Sequence, residues 1–226
     1  MKTETVLFDL DGTLTDSGPG IMNSIRYALT KSGIAVPGED VLRTFIGPPL
    51  KEQFEKVFGL DSREGAEMVV KYREYYSEKG IYENRVYDGV PEMLGRLRDA
   101  GIRVLMATSK PEIFAKRIAD HFDFAKYFDF IGGACMDGTR TDKYEVIEYV
   151  LSSGGSLERS LVPVSVNRES TVMVGDRSHD ITGAKKAGIH SLGVLYGYGS
   201  EEELHAAGVE RIAKTPGEAA DIILGV

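Results

Sequence analysis

The 226-residue chain has a single cysteine, Cys135, so no disulfide can form within it. A chain without disulfides suits a reducing compartment, and Cys135 is expected as a small buried apolar residue. Positive charge is also scarce: Lys and Arg number 27 against 35 Asp and Glu, a formal net charge of −8. That deficit argues against a nucleic-acid polymer held by phosphate contacts and against an anionic membrane surface. It leaves room for a small anionic substrate, because one local cation can dominate a site. No run approaches the roughly 20 apolar residues of a membrane span. The apolar stretch in the opening MKTETVLFDLDG is too short for a secretory signal. Internal repeats and low-complexity tracts are missing as well. A soluble, cytoplasmic protein is the expectation.

What is present fits a globular α/β protein. Hydrophobic residues make up 42% and charged residues 27%, enough for a real core. The length fits one large domain, or a core with a smaller inserted domain. The runs TVLFDL, IRVLMAT, FDFIGG, TVMVGD and SLGVLYG are short and mostly apolar without alternation. Strands buried on both faces look like this, which points to a parallel sheet covered by helices. Helical patterns fall between them. Pro91 opens PEMLGRLRDAG, with Leu94 and Leu97 on one face and Gly101 as a stop. PEIFAKRIADHF, DKYEVIEYVLSSGG and DITGAKKAGI follow the same form. Alternating strand and helix predicts a doubly wound α/β fold with a parallel sheet.

One segment breaks the alternation. Ile21, Ile25 and Leu29 form one helical stripe; Leu50, Phe54, Val57 and Phe58 a second; Met68, Tyr72, Tyr75 and Tyr76 a third. No strand pattern appears among them. This predicts an all-helical domain at 18–84, inserted into a core made of 1–17 and 85–226 and joined through SGPG and NRVYDG. The tyrosine stripe reads as core. The stretch Ser152 to Ser170 reads as a connection longer than an αβ link needs, with no functional assignment.

Chemistry-bearing residues gather at the C-terminal ends of the expected strands, where open α/β sheets bind ligands. DLDGT follows the first, TSK (Thr108 to Lys110) the second, TDK precedes the helix that opens at Lys143, and GDRSHD (Gly175 to Asp180) follows TVMV. Each alone has an ordinary explanation as a turn or helix cap. Together they bring several carboxylates, an ammonium, a hydroxyl and helix N-termini to one sheet edge. So many acids need a cation, and oxygen-only ligands select a hard ion, Mg²⁺. Lys143, Thr108 and backbone N–H groups would serve the oxygens of a phosphate. The expectation is a phosphate-transfer site. Asp9 and Asp11 are two apart on extended chain and address the same point. Gly12 allows a tight turn there, with Thr13 capping it, and Asp16 reads as structural.

DLDGTLTDS, TSK, DK and GDRSHD, in that order and with a helical insertion after the first, resemble the haloacid dehalogenase (HAD) superfamily. The likeness is to its phosphatase branch, with phosphoglycolate phosphatases and 5′-nucleotidase-like enzymes. It implies a Rossmann-like core with an inserted helical cap, and a Mg²⁺-dependent phosphatase acting on a small phosphorylated metabolite. It also assigns roles. Asp9 is the nucleophile that forms an aspartyl-phosphate, and Asp11 the general acid and then base. Thr108 and Ser109 bind phosphoryl oxygens. Lys143 offsets charge on Asp9 and the phosphate. Asp176 holds Mg²⁺ with the Asp9 carboxylate and the Asp11 backbone carbonyl, supported by Asp180.

The same core chemistry serves sugar-phosphate mutases, and phosphonatases place a Schiff-base lysine in the cap. A receiver-like phosphoacceptor is the rival from another class. Asp11 argues against a dehalogenase, which has no leaving oxygen to protonate, and against a signalling module, which gains nothing from rapid hydrolysis. Arg43, the FIGPPL turn (Phe45 to Leu50), Lys110 and His179 are candidate substrate contacts. His179 reads first as a solvent-facing helix residue, ahead of a substrate contact.

Overall fold

The five apolar runs become strands of one parallel sheet in the computed structural model, which describes residues 2–153 and 166–226. The strands are β1 (Thr5–Phe8), β4 (Arg103–Pro111), β5 (Phe130–Ala134), β6 (Thr171–Gly175) and β7 (His190–Val194). A sixth, β8 (Arg211–Ala213), closes one edge. Two-residue strands, β2 (Thr15–Asp16) and β3 (Arg85–Val86), pair separately. The sheet order is β5-β4-β1-β6-β7-β8. That is the doubly wound order, in which successive strands run outward from β1 first to one side and then to the other. Register places Phe8 beside both Met106 and Val174, so the chains leaving β1, β4 and β6 emerge at one edge.

Burial on both faces explains the missing alternation. Val6, Leu7 and Phe8 are all fully buried. On one face Leu7, Leu105 and Met173 pack with Val146, Ile147 and Val150 of α7 (Lys143–Ser153) and Ala184 of α8 (Ser178–Ala187). α5 (Val90–Asp99) packs on β4 and on α10 (Pro216–Leu224), and α6 (Glu112–His121) packs on β4 and β5. α9 (Glu201–Ala207) lies against α8. Gly101 ends the turn after α5 with φ of 75°, as the sequence implied.

By its contacts the chain forms two compact units, Met1–Thr15 with Val86–Val226, and Asp16–Arg85. The second unit is helical: α1 (Gly18–Lys31), α2 (Glu39–Arg43), α3 (Leu50–Phe58) and α4 (Ser62–Tyr76). Ile25, Leu29, Leu42, Phe45, Phe54, Met68, Tyr72 and Tyr76 are buried. The tyrosine stripe is thus core at Tyr72 and Tyr76, whose rings stack at 5.2 Å. A capping box starts α4: Asp61 accepts from the N–H of Glu64 at 2.8 Å, and Glu64 accepts from that of Asp61 at 2.9 Å. Asp16 is structural as expected, 3.1 Å from Arg85 Nε.

Three readings change. Cys135 is half-buried rather than buried, because it lies in the loop after β5, where its N–H donates to the Arg140 carbonyl at 2.9 Å. The long connection is helical at its start, Ser152 and Ser153 closing α7, and ends in a single turn at Arg168–Ser170. The rest of that reading, 154–165, lies outside the described residues. Thr13 does not cap the turn beside Gly12; its hydroxyl donates to Asp176 at 3.3 Å.

Close approach of α1 to Gly80 gives a test of packing in the helical unit. A Cβ on Gly20 would sit 1.9 Å from the Gly80 carbonyl oxygen, whereas one on Gly95 of α5 meets nothing nearer than 4.0 Å. Helix propensity favours alanine over glycine by about 1 kcal/mol at either site. Gly95→Ala is therefore expected to leave stability unchanged or raise it by up to about 1 kcal/mol. Gly20→Ala should destabilise by about 1–3 kcal/mol, because a backbone oxygen cannot step aside as a side chain can. Urea denaturation of both variants checks this, and equal midpoints would refute it.

Candidate active site

The chemistry gathers at the switch point of the sheet. Asp9 follows β1 and Asp176 follows β6, the adjacent strands from which the chain winds outward in opposite directions. Lys143 opens α7, and Asp180 sits in the first turn of α8. All four are buried, with Asp176 and Asp180 wholly so.

Lys143 joins three of these elements. Its Nζ donates to Asp9 Oδ1 at 2.7 Å and to the Ala107 carbonyl at 3.0 Å, and lies 2.8 Å from Asp180 Oδ1. Burial opposes the charged ammonium, but Asp180 and Asp9 outweigh it and hold its pKa above the ordinary lysine value. Asp180 feels burial pushing it up. Lys143 reverses this, with help from His179 and from the Arg177 N–H, which donates to Asp180 at 3.1 Å. Its carboxyl stays below the usual range. Burial raises the Asp9 carboxyl; Lys143 pulls against it, while Asp180 and Asp11 add to the rise.

Asp176 is the unbalanced member. Burial drives its carboxyl well above the usual range, reinforced by the charges of Asp180 and Asp9. Its hydrogen bonds come from neutral donors, the Thr13 hydroxyl at 3.3 Å and the Tyr198 N–H at 2.7 Å. Gly12, at φ of 85°, lies so close that a Cβ there would be 2.2 Å from Asp176 Oδ2. This is a second reason for glycine, beyond the turn that the sequence implied.

Carboxylate oxygens of Asp9, Asp176 and Asp180 lie within 4.8 Å of one another. The Asp11 carboxylate is not in that group. Lys110 takes both of its oxygens, at 2.9 and 2.7 Å, in a nearly buried pair. With all four carboxylates ionised, the two ammoniums would leave two negative charges in a buried place. A divalent cation would balance them, and the all-oxygen donor set suits Mg²⁺.

Thr108 is buried at the end of β4, and its Oγ1 accepts from the Lys110 N–H at 3.2 Å. It does not cap the next helix; α6 begins after Pro111. Ser109 is half-buried beside it. Asp142 caps α7, accepting from the Tyr144 N–H at 3.0 Å. His179 is half-buried, with Nε2 3.9 Å from Asp180. Arg43 pairs with Glu39 at 2.8 Å on the surface of the helical unit.

Two contributions were not read from the sequence. One is the Lys110 grip on Asp11, although Lys110 itself was flagged. The other is the loop after β7, where Tyr198 donates to Asp176 and a Cβ on Gly197 would meet the Gly12 carbonyl oxygen at 2.2 Å. The glycines of LYGYGS behind an apolar run were the available signal.

Fold and site together define a phosphoryl-transfer enzyme built on a doubly wound sheet. The chain belongs to the haloacid dehalogenase-like hydrolases, whose family model matches residues 6–194, and within them it stands with the phosphatases. It is 45% identical to a 5′-nucleotidase of Pseudomonas aeruginosa over 206 residues, 91% of this chain and 89% of that one. It is 39% identical over 223 residues to the tyrosine-protein kinase PtkA of Mycobacterium tuberculosis, 95% of this chain and 72% of that one. Among solved structures, a chain described as a predicted phosphatase from Clostridium acetobutylicum matches with a TM-score of 0.92. The two are 40% identical, and each is covered in full.

The charge imbalance predicts a metal-linked stability. Saturating Mg²⁺ is expected to raise the Tm by about 5–10 °C, from the linkage of a ligand that binds only the folded state. Asp176→Asn should abolish most of that rise. Its metal-free Tm should be no lower than that of the wild type, since a carboxyl raised on folding disfavours the native state once ionised. Differential scanning fluorimetry with EDTA and with Mg²⁺ reads both. A wild-type Tm indifferent to Mg²⁺ would remove the triad as a cation site.

Proposed function

We propose that the chain is a Mg²⁺-dependent phosphatase that hydrolyses a small-molecule phosphomonoester through an aspartyl-phosphate on Asp9. The observation that carries this reading is Lys143 Nζ at 2.7 Å from Asp9 Oδ1, buried beside Asp176 and Asp180. A carboxylate so placed is oriented by an ammonium that also screens it from an incoming dianion.

When bound, Mg²⁺ would be held by Asp9 and Asp176, with Asp180 and the Asp11 carbonyl in support, and would supply positive charge for the phosphoryl oxygens. Thr108 and Ser109 would orient those oxygens by hydrogen bonds. An Asp9 oxygen forms a bond to phosphorus as the bond to the leaving oxygen breaks, and the Asp11 carboxyl gives that oxygen its proton. In the second half Asp11 takes a proton from water. The water oxygen bonds to phosphorus, the Asp9–phosphorus bond breaks, and inorganic phosphate leaves.

The helical unit, expected over 18–84, is assigned the role of a cap that selects the leaving group. Phosphoglycolate and nucleoside monophosphates head the substrate candidates. The likeness to a tyrosine-protein kinase favours a second reading, in which the first half-reaction is the same and a protein hydroxyl takes the phosphoryl group from Asp9 in place of water. A cytoplasmic setting fits a small metabolite, and among the described residues no helix is long and apolar enough to cross a membrane.

Phosphate release should depend on Mg²⁺ across a panel of an aryl phosphate, phosphoglycolate, nucleoside monophosphates, sugar phosphates and pyrophosphate. Asp9→Asn should abolish it, and Asp11→Asn should lower kcat by about 10²–10⁴-fold. No release from any compound, with a long-lived phosphate on Asp9 by mass spectrometry, would favour a phosphoacceptor. Label moving to a protein tyrosine would favour the kinase-like reading.

A further inference from the structure

Lys110 closes both oxygens of Asp11, the group assigned to protonate the leaving oxygen. The pair is nearly buried, with the Lys110 side chain 5% and the Asp11 side chain 13% exposed. Each oxygen accepts from the same ammonium, so Lys110 sets the orientation of the carboxylate and occupies one lone-pair direction on each oxygen. Full access of Asp11 to a leaving oxygen calls for Lys110 to shift, and a nearly buried ammonium exchanges one carboxylate most readily for another anion, because it then stays paired.

Position says which anion. β1 and β4 are adjacent and parallel, with Phe8 beside Met106, and both chains leave the sheet at the same edge. Asp11 lies two residues past Asp9, and Lys110 two residues past Thr108. If Asp9 and Thr108 face the phosphoryl group, Asp11 and Lys110 lie farther out along the two chains, on the side where the alcohol departs. Lys143 already serves Asp9 and Asp180. Lys110 is the second ammonium of the site, and it stands beside the acid rather than beside the nucleophile.

We propose that Lys110 is a specificity-determining residue that binds an oxyanion on the leaving alcohol, one or two carbons from the ester oxygen, and in doing so releases Asp11 to act. This rests on the phosphatase reading above and adds the substrate class: phosphorylated small acids, or bisphosphates of the same length. A neutral alcohol offers Lys110 nothing in exchange for Asp11. An anionic one moves the ammonium from the acid to itself, so that its binding frees the acid.

Three matched compounds test this: 2-phosphoglycolate, 1,2-ethanediol bisphosphate and the neutral 2-hydroxyethyl phosphate. The readout is the ratio of kcat/KM for each anionic compound to that for the neutral one. Wild type should favour at least one anionic compound. Lys110→Met should lower that ratio by tenfold or more, the size of one charge-assisted hydrogen bond, and Lys110→Arg should restore part of it. The preferred compound tells a carboxylate reader from a phosphate reader. A ratio within threefold of wild type in Lys110→Met, or a wild type that favours the neutral compound, overturns the proposal and leaves Lys110 a counter-ion of Asp11. Calorimetric binding of the same compounds to Asp9→Asn, with and without Lys110→Met, separates this from the parent reading. Discrimination in binding without any turnover would sustain Lys110 and sink the phosphatase. Equal affinities in the two backgrounds would sink Lys110 whatever the turnover.

Discussion

One buried ammonium organises the site. Lys143 donates to Asp9 and to the Ala107 carbonyl, at 2.7 and 3.0 Å, and its charge lies 2.8 Å from Asp180 Oδ1. Those partners belong to the ends of β1, α8 and β4, so one side chain from the start of α7 ties four elements together. Burying an ion pair gains little over an apolar contact of the same volume, but removing one partner costs about 3–5 kcal/mol. Such an arrangement is selected for position rather than for stability. It fixes the Asp9 carboxylate to within a hydrogen bond's tolerance and leaves its other oxygen free of lysine.

The remainder of the site follows from what Lys143 cannot neutralise. Asp9 and Asp180 share it, Asp11 has Lys110, and among the described residues Asp176 accepts from a hydroxyl and a peptide N–H. The fold brings Tyr198, Thr13 and Gly12 tightly around Asp176, which suits a carboxylate that must stay in place more than one that must stay charged. Local consistency between sequence and structure breaks down at this point, as it does where binding sets the constraint instead of folding. A bound divalent cation would balance the excess negative charge, which would otherwise repel a phosphate dianion.

The motifs were legible because each is short and its residues act where the sequence puts them, at strand ends. Asp9, Lys143, Asp176 and Asp180 needed only the strand order to be brought together. What escaped depends on distant approach. Lys110 reaching Asp11 requires β4 to lie beside β1 in a particular register. Tyr198 acts through its backbone, and a backbone N–H leaves no trace in residue identity. Thr13 had two partners within reach of reasoning, its own turn and Asp176, and only packing decides between them. β8 was missed for a simpler reason: RIA is three residues long, half exposed and at the sheet edge, so it has too little apolar pattern to read. Cys135 misled because burial was inferred from residue type, whereas its exposure follows from the loop after β5.

The place where the helical unit is inserted carries a constraint of its own. The chain departs for it at Thr15–Asp16, only four residues after Asp11. The loop that carries Asp11 therefore lies close in sequence to the junction of the two units. It is anchored within the α/β unit. The N–H groups of Leu14 and Thr15 donate to the Leu10 carbonyl at 2.9 and 3.0 Å, and that of Gly12 donates to Thr15 at 2.8 Å. On the return, the Tyr87 N–H donates to the Leu14 carbonyl at 3.1 Å. The loop is thus closed on itself and tied to the returning chain before the helical unit begins. These bonds hold the stretch that carries Asp9 and Asp11 without drawing on the helical unit. On the proposed reading, in which the helical unit selects the leaving group, that separation would let one core chemistry serve different leaving groups.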